Sequence, residues 1–191
     1  TSFFPSKNLG CYGDGGAIFT DDDTLAEKAY SIVNHGSRKK YYHDRIGVNS
    51  RLDTIQAAVL RAKLPHLDAY NAARQKAAGY YNNAFANSPH IITPKEVDWS
   101  AHIYHQYTLK ISDADRNALM EHLKAHGVPC AVYYPVPLHQ QKAFQGFSYV
   151  PEDYPVTDML INQVVSLPMH TELSEDQLVY ITNTVLDFFR K

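Results

Sequence analysis

The chain has 191 residues, 45% hydrophobic and 20% charged, with a formal net charge of −2 and a pI near 6.5. Such a composition belongs to globular proteins and excludes a disordered, collagen-like or disulfide-stapled chain. No apolar run approaches the roughly 18 residues of a spanning helix, and the balanced charge argues against sequence-independent nucleic-acid binding. The two cysteines, Cys11 and Cys130, fit no metal or redox spacing, which points to a reducing, cytoplasmic setting. No secretory pattern opens the chain. It starts without Met, directly in an apolar-aromatic run, and is expected to be a piece of a longer protein.

In chain order, Phe3-Phe4 and Ala17-Ile18-Phe19-Thr20 read as two strands around a turn punctuated by Gly10, Gly13, Gly15 and Gly16. Thr24 with Glu27 makes a capping box for a helix whose stripe is Leu25, Ala29, Ile32 and Val33, ended by Gly36. Residues 37–50 lack periodicity and read as an exposed irregular loop. Asp53 with Gln56 opens a second helix bearing Ile55, Ala58, Val59 and Ala62; Pro65 kinks or restarts it, and helix continues to about Phe85.

The character changes after Asn87-Ser88-Pro89. Residues 103–111 alternate, with Ile103, His105, Tyr107, Leu109 and Ile111 on one face of a half-buried strand. Asp113 is placed to cap a helix with Leu119, Met120 and Leu123, stopped by Gly127. Val128 to Tyr133 reads as a strand broken by Pro135 and Pro137. A short helix at 155–162, a strand at 164–167 and a last helix capped by Ser174 and Gln177 complete a layered α/β or α+β second half.

The chemically informative stretch is the first, Ser2-Phe3-Phe4-Pro5-Ser6-Lys7-Asn8-Leu9-Gly10. A lysine between an aromatic strand and a glycine turn is either a partly desolvated amine suited to attack a carbonyl or a solvated cation. Read from residues alone, Ser2 is a strand residue or a ligand, Asn49 a loop cap or a ligand, and Arg51 a partner for any nearby carboxylate.

The opening stretch, continued by Gly13-Asp14-Gly15-Gly16, resembles the active-site signature of the DegT/DnrJ/EryC1/StrS family of sugar aminotransferases. Gly47-Val48-Asn49-Ser50-Arg51 through Gln56-Ala57-Ala58 is similar to that family's G-x-N-x-R-x-x-x-x-Q-A-A block. Asn34-His35-Gly36 and Tyr133-Tyr134-Pro135-Val136-Pro137-Leu138-His139 resemble two further segments in the same order. The S-F-F-P-x-K form is closest in look to the branch that aminates UDP-2-acetamido-2-deoxy-3-keto-hexuronic acids. The resemblance implies an α/β chain from the C-terminal part of the type I pyridoxal 5′-phosphate (PLP) transferase fold. Residues 1–87 would be a remnant of the large PLP-binding domain with a connecting helix, and 88–191 the small α+β domain.

By the same resemblance, Lys7 would bind PLP covalently and act as general base and acid. Ser2 and Asn49 would hold its phosphate, and Ser6, Arg51, Tyr133 and Tyr134 would contact substrate. Asn49 and Arg51 would serve the neighbouring subunit of a homodimer with shared active sites. The implied reaction moves an amino group from glutamate to a nucleotide-linked keto sugar, for surface polysaccharide. Lys7 argues against a dehydratase offshoot that has histidine there. No Asp or Glu precedes Lys7 to pair with the pyridine nitrogen, so the chain by itself is expected to be inactive. The alternative is a non-catalytic sugar-nucleotide-binding or dimerisation module of the same fold.

Two other constellations carry less. His122 and His126 lie one helical turn apart, and His102 is near His105, but ten scattered histidines make chance pairs common and no third ligand follows; no metal is expected. Arg38-Lys39-Lys40-Tyr41-Tyr42 interleaves basic and aromatic residues like a nucleic-acid patch, yet at this net charge it reads as a solvated or dimer-contact loop.

Overall fold

In the computed structural model, which describes residues 1–146 and 153–190, the chain divides into two units, Thr1–Asp68 and Ala69–Lys191. The division falls at the start of the long helix α3 (Leu67–Phe85). The domain boundary expected at residue 87 lies beyond the other end of that helix.

In the first unit, α1 (Asp23–Val33) is capped by Asp22, whose carboxylate accepts the Leu25 N–H at 3.1 Å. The expected Thr24–Glu27 box does not form, because Thr24 already lies inside the first turn; Glu27 instead pairs with Arg38 at 3.0 Å. Residues 37–43, expected to be irregular, form a small antiparallel hairpin of β1 (Ser37–Lys39) and β2 (Tyr42–His43), with Tyr41 in the left-handed region at its tip. Helix α2 (Thr54–Lys63) starts where Asp53 accepts the Ile55 N–H at 2.8 Å, and Pro65 sits in a single 3-10 turn before α3.

The two strands expected in the first twenty residues reduce to one bridge, Ser2 against Gly16, flanked by Phe3 N–H to Gly15 O at 2.8 Å and Ala17 N–H to Thr1 O at 3.0 Å. No further strand lies beside them among the described residues, and a ladder needs partners to extend. Ile18 and Phe19 are accordingly exposed.

The second unit is built on an antiparallel sheet in the order β3 (Ile91–Ile92), β4 (Tyr107–Ile111), β5 (Val164–Leu167). The predicted alternation holds along β4, where Tyr107, Leu109 and Ile111 are buried. The strand begins at 107 rather than 103, because Tyr104 takes a positive φ that an extended strand cannot contain. Helix α4 (Arg116–Ala125) is capped by Asp115, which accepts from the N–H groups of Asn117 and Ala118, and not by Asp113, which sits at φ 54° upstream. The strand expected at 128–133 is a single bridge, Ala131 to Ser166. Helices α5 (Pro155–Leu160) and α6 (Glu175–Phe188) follow, the latter with the Ser174–Gln177 capping box as predicted.

Its core joins Ala77, Ala78, Tyr81 and Phe85 of α3 to the buried face of β4, to Leu119 and Leu123 of α4 and to Leu178, Ile181 and Val185 of α6. Burying each large apolar side chain is worth about 1.5–3 kcal/mol before entropy is charged against it. Three tyrosines cluster inside, with rings of Tyr81 and Tyr107 4.8 Å apart and those of Tyr104 and Tyr107 6.0 Å apart. Their hydroxyls are satisfied by Pro168 O, Asn82 Oδ1 and Glu96 Oε1, as buried phenols require. Burial pushes all three phenols up; Tyr104, also facing the Glu96 carboxylate, reaches about 12.

Candidate active site

Lys7 ends a tight turn in which its N–H donates to Phe4 O at 2.8 Å. Pro5 supplies the fixed φ such a turn favours. Ser2 stands at the entry to the turn, its hydroxyl accepting the Phe4 N–H at 3.3 Å, which leaves its own proton to donate elsewhere. Ser2 and Ser6 are exposed and Lys7 is half-buried.

The backbone then folds back on itself. Gly10 is buried, and a Cβ built on it would lie 2.5 Å from Pro5 O and 2.8 Å from Phe4 O, so only glycine fits here. Cys11 is wholly buried, its N–H bonding Phe3 O at 2.8 Å and its thiol within 3.0 Å of the Phe3 and Gly13 carbonyls. Its role is therefore to fasten the loop.

The Asn49–Arg51 segment is held by the end of α1. His35 N–H donates to Val48 O at 3.0 Å, Val48 N–H to Ile32 O at 2.8 Å and Ser50 N–H to Val33 O at 3.0 Å. Gly36 and Gly47 make this approach possible: a Cβ on Gly36 would lie 1.6 Å from Arg45 O, and one on Gly47 2.1 Å from Gly36 N. Arg51 Nε donates to Asn49 Oδ1 at 3.0 Å, which ties the exposed guanidinium to Asn49 through Nε. Asn49 and Arg51 line an open groove of about 1190 Å³ whose other walls include Thr1, Asp14, Gly15, Phe19 and Tyr30. Ser2, Ser6 and Lys7 do not line it. The structure thus brings Asn49 and Arg51 together on one wall, to which the Lys7 turn contributes no residue.

In the second unit, Tyr133 and Tyr134 are exposed, with rings edge to face at 5.9 Å. Tyr133 borders a cleft of about 230 Å³ shared with His105, Gln106, Cys130 and Ser166. Burial pushes the Cys130 thiol up, with the Glu121 carboxylate adding to it, so this cysteine is poorly suited to be a nucleophile. His139, at the end of the Tyr133–His139 segment, meets Asp158 of α5 at 3.2 Å and stacks on Tyr154 at 4.6 Å, which fastens that segment to α5.

Two residues near Lys7 were not singled out as functional from sequence. Gln56 Oε1 accepts the Tyr12 N–H at 2.7 Å, and Lys63 Nζ donates to Gly10 O at 2.6 Å. Gln56 was visible within the G-x-N-x-R…Q-A-A block; nothing local marks Lys63. Three of the four histidines in the two sequence pairs are engaged with the backbone: His122 Nε2 meets Thr184 O, His126 Nδ1 meets His122 O, and His102 Nδ1 accepts the Tyr104 N–H. Among the described residues no three metal-ligating side chains gather. In the basic hairpin Lys39 lies over the Tyr42 ring and Lys40 over the Tyr41 ring, each at 5.0 Å. No helix among the described residues is long and apolar enough to cross a membrane.

The profile of the DegT/DnrJ/EryC1/StrS aminotransferase family matches residues 1–186. The chain is 46% identical over 191 residues to a "pleiotropic regulatory protein" of Geobacillus stearothermophilus, covering 99% of this chain and 51% of that one. It is 47% identical over 173 residues to the UDP-2-acetamido-2-deoxy-3-oxo-D-glucuronate aminotransferase of Pseudomonas aeruginosa, covering 91% and 46%. A crystal structure of a DegT DnrJ EryC1 StrS aminotransferase from Brucella abortus superposes with a TM-score of 0.91 at 40% identity, covering all of this chain and 50% of that one. The chain spans about half the length of the curated relatives it matches, and its fold is part of a type I PLP-transferase fold.

Proposed function

The chain belongs to the DegT/DnrJ/EryC1/StrS aminotransferase family, and on that footing we propose that the protein it forms part of moves an amino group from glutamate to the keto carbon of a nucleotide-linked sugar. The product would serve surface polysaccharide, and the work would take place in the cytoplasm, where Cys11 and Cys130 remain free thiols. The observation that carries the reading is the presentation of Lys7 at the end of a rigid turn, five residues after the Ser2 hydroxyl.

Enzymes of this family depend on PLP, which when bound supplies an aldehyde for the amine and a ring that stabilises charge at the reacting carbon. The donor set fits such a group: a lysine amine able to bond the aldehyde, and a serine hydroxyl whose proton is left to donate to a phosphate oxygen. The carboxylate for the pyridine nitrogen is not supplied ahead of Lys7 in this chain, and the chain by itself is proposed to be inactive.

Within the assembled site, Lys7 Nζ takes the proton from the substrate carbon and returns it, a task that needs a fixed amine. Asn49 offers its amide to a phosphate while its Oδ1 holds Arg51 Nε. Arg51 keeps two NH2 groups for a bidentate grip on a sugar carboxylate, a match for the hexuronic acid branch. Ser6, Tyr133 and Tyr134 are exposed and suited to hydrogen-bond sugar hydroxyls. We assign Asn49 and Arg51 to the neighbouring subunit's site in a homodimer.

A non-catalytic module is the second reading, favoured by the regulatory name of the Geobacillus relative. One experiment separates the two. The full-length protein is incubated with PLP, reduced with borohydride and mapped by peptide mass. A pyridoxyl group on Lys7, with a glutamate-driven change in cofactor absorbance, is the expected outcome; a label on Lys39 or Lys40, or none, refutes the assignment.

A further inference from the structure

We infer that Lys63 and Gln56 of α2 are positioning residues for the Lys7 amine, acting through the loop 10–13. The inference rests on the role proposed for Lys7 and concerns side chains that the family reading leaves unassigned. Positions 56 and 63 are seven apart, two helical turns, so both side chains leave the same face of α2. That face reaches back across the sequence to two neighbouring backbone groups. Gln56 Oε1 accepts the Tyr12 N–H at 2.7 Å, and Lys63 Nζ donates to Gly10 O at 2.6 Å. The ammonium also lies 5.8 Å from the centre of the Tyr12 ring.

These anchors connect to the lysine turn without slack. A Cβ on Gly10 would meet Pro5 O and Phe4 O within 3 Å, so the backbone at 10 packs directly on the carbonyls that form the turn. Phe4 O is the acceptor for the Lys7 N–H. One residue on, Cys11 N–H and its thiol both bond Phe3 O. Gly13 closes the other end, since a Cβ there would stand 3.2 Å from Gln56 Nε2. A shift of Gly10 or Tyr12 therefore moves the Phe4–Lys7 turn with it. The Lys63 bond has an amine donor on a side chain that reaches across 53 residues and is short at 2.6 Å, so it is the stronger anchor. A lysine that must both bond a cofactor and move a proton needs such fixing, because misplacement by about 1 Å is enough to lose about a hundredfold in rate.

The test uses the chain itself and then the full-length protein. Lysines are reductively methylated and the rate at Lys7 is compared by mass spectrometry with the rates at Lys39 and Lys40 on the hairpin, in wild type, Lys63→Met, Lys63→Arg, Gln56→Met and Gln56→Glu. Losing a charge-assisted anchor should raise the Lys7 rate about tenfold in Lys63→Met, and by less in Gln56→Met, with Lys39 and Lys40 unchanged. Lys63→Arg and Gln56→Glu keep a donor and an acceptor and should hold the wild-type rate. In the full-length protein loaded with PLP, Lys63→Met should move the pH titration of the Lys7-linked absorbance band and lower kcat while KM for the sugar nucleotide stays. An unchanged Lys7 rate, or one that rises together with the hairpin lysines, overturns the inference. A borohydride label away from Lys7 overturns the underlying reading instead, whatever the methylation rates.

Discussion

Arg74 is a guanidinium buried in the second unit that pairs with no carboxylate among the described residues, and its replacement by Met sets two large effects against each other. Its Nη1 donates to Tyr104 O at 3.1 Å, Met169 O at 3.1 Å and His105 O at 3.3 Å, joining α3 to the loops before β4 and after β5. Burial works against the charge: it draws the Arg74 pKa down, and Nε is buried without a hydrogen-bond partner among the described residues. Arg74→Met keeps the apolar stem, deletes the donor and removes the desolvated charge.

One nitrogen carries two protons, so two of the three contacts count fully. Bonds from a charged donor are worth about 1.5–3 kcal/mol each, which gives a loss of about 3–6 kcal/mol. Relief from burying the guanidinium returns a few kcal/mol of that. The expected net effect is a destabilisation of about 2 kcal/mol. Urea denaturation followed by hydrogen exchange on peptides covering 104–111 and 164–169 reads it, and protection should fall first in those segments. A neutral or stabilising Arg74→Met would refute the reasoning, because it would mean that the carbonyl contacts never outweighed the desolvation they require.

Gly47→Ala should destabilise the first unit by about 3 kcal/mol or more, since the new Cβ would meet the backbone at Gly36 N and His35 C; exchange of the Val48 and Ser50 amides checks it. The second unit should lose stability in alkali: Tyr104 holds its proton to about 12 against 10 for the ordinary phenol, so its contribution is whole below about pH 10 and is lost as pH rises through 12. Tyrosinate absorbance should rise with unfolding there, and Tyr104→Phe should flatten that slope; titration at ordinary phenol pH without unfolding would contradict it. For the proposed dimer, mixing full-length Lys7→Ala with Arg51→Ala subunits should recover activity in heterodimers, where one site of the pair has both residues intact. Heterodimers as inactive as either parent would remove the shared site.

The helices were legible because their signals are local. The Ser174–Gln177 box, the Asp53 cap and the Pro65 break lie within a turn of the boundaries they set. Around Lys7 only the glycine-punctuated turn that follows was legible; the tight turn from Phe4 to Lys7 itself was not read from the sequence. Strands were legible only in part: Val164–Leu167 and the alternation over 107–111 formed as expected. Val128 to Tyr133 and the first twenty residues have strand-like composition, yet whether a ladder extends depends on which partner lies beside it, and each kept a single bridge. Choices between nearby candidates were also tertiary or conformational, as with Asp22 over Thr24 and Asp115 over Asp113, where one residue already lies inside the helix and the other sits at positive φ. By itself the sequence determined the helical elements, the family and the candidate residues Lys7, Ser2, Asn49 and Arg51. Only the tertiary structure decided that Gln56 and Lys63, 44 and 53 residues from their partners, fasten the loop beside that lysine. Those contacts are made by side chains meeting backbone groups, and no periodicity or spacing in the chain encodes which carbonyl a lysine will reach.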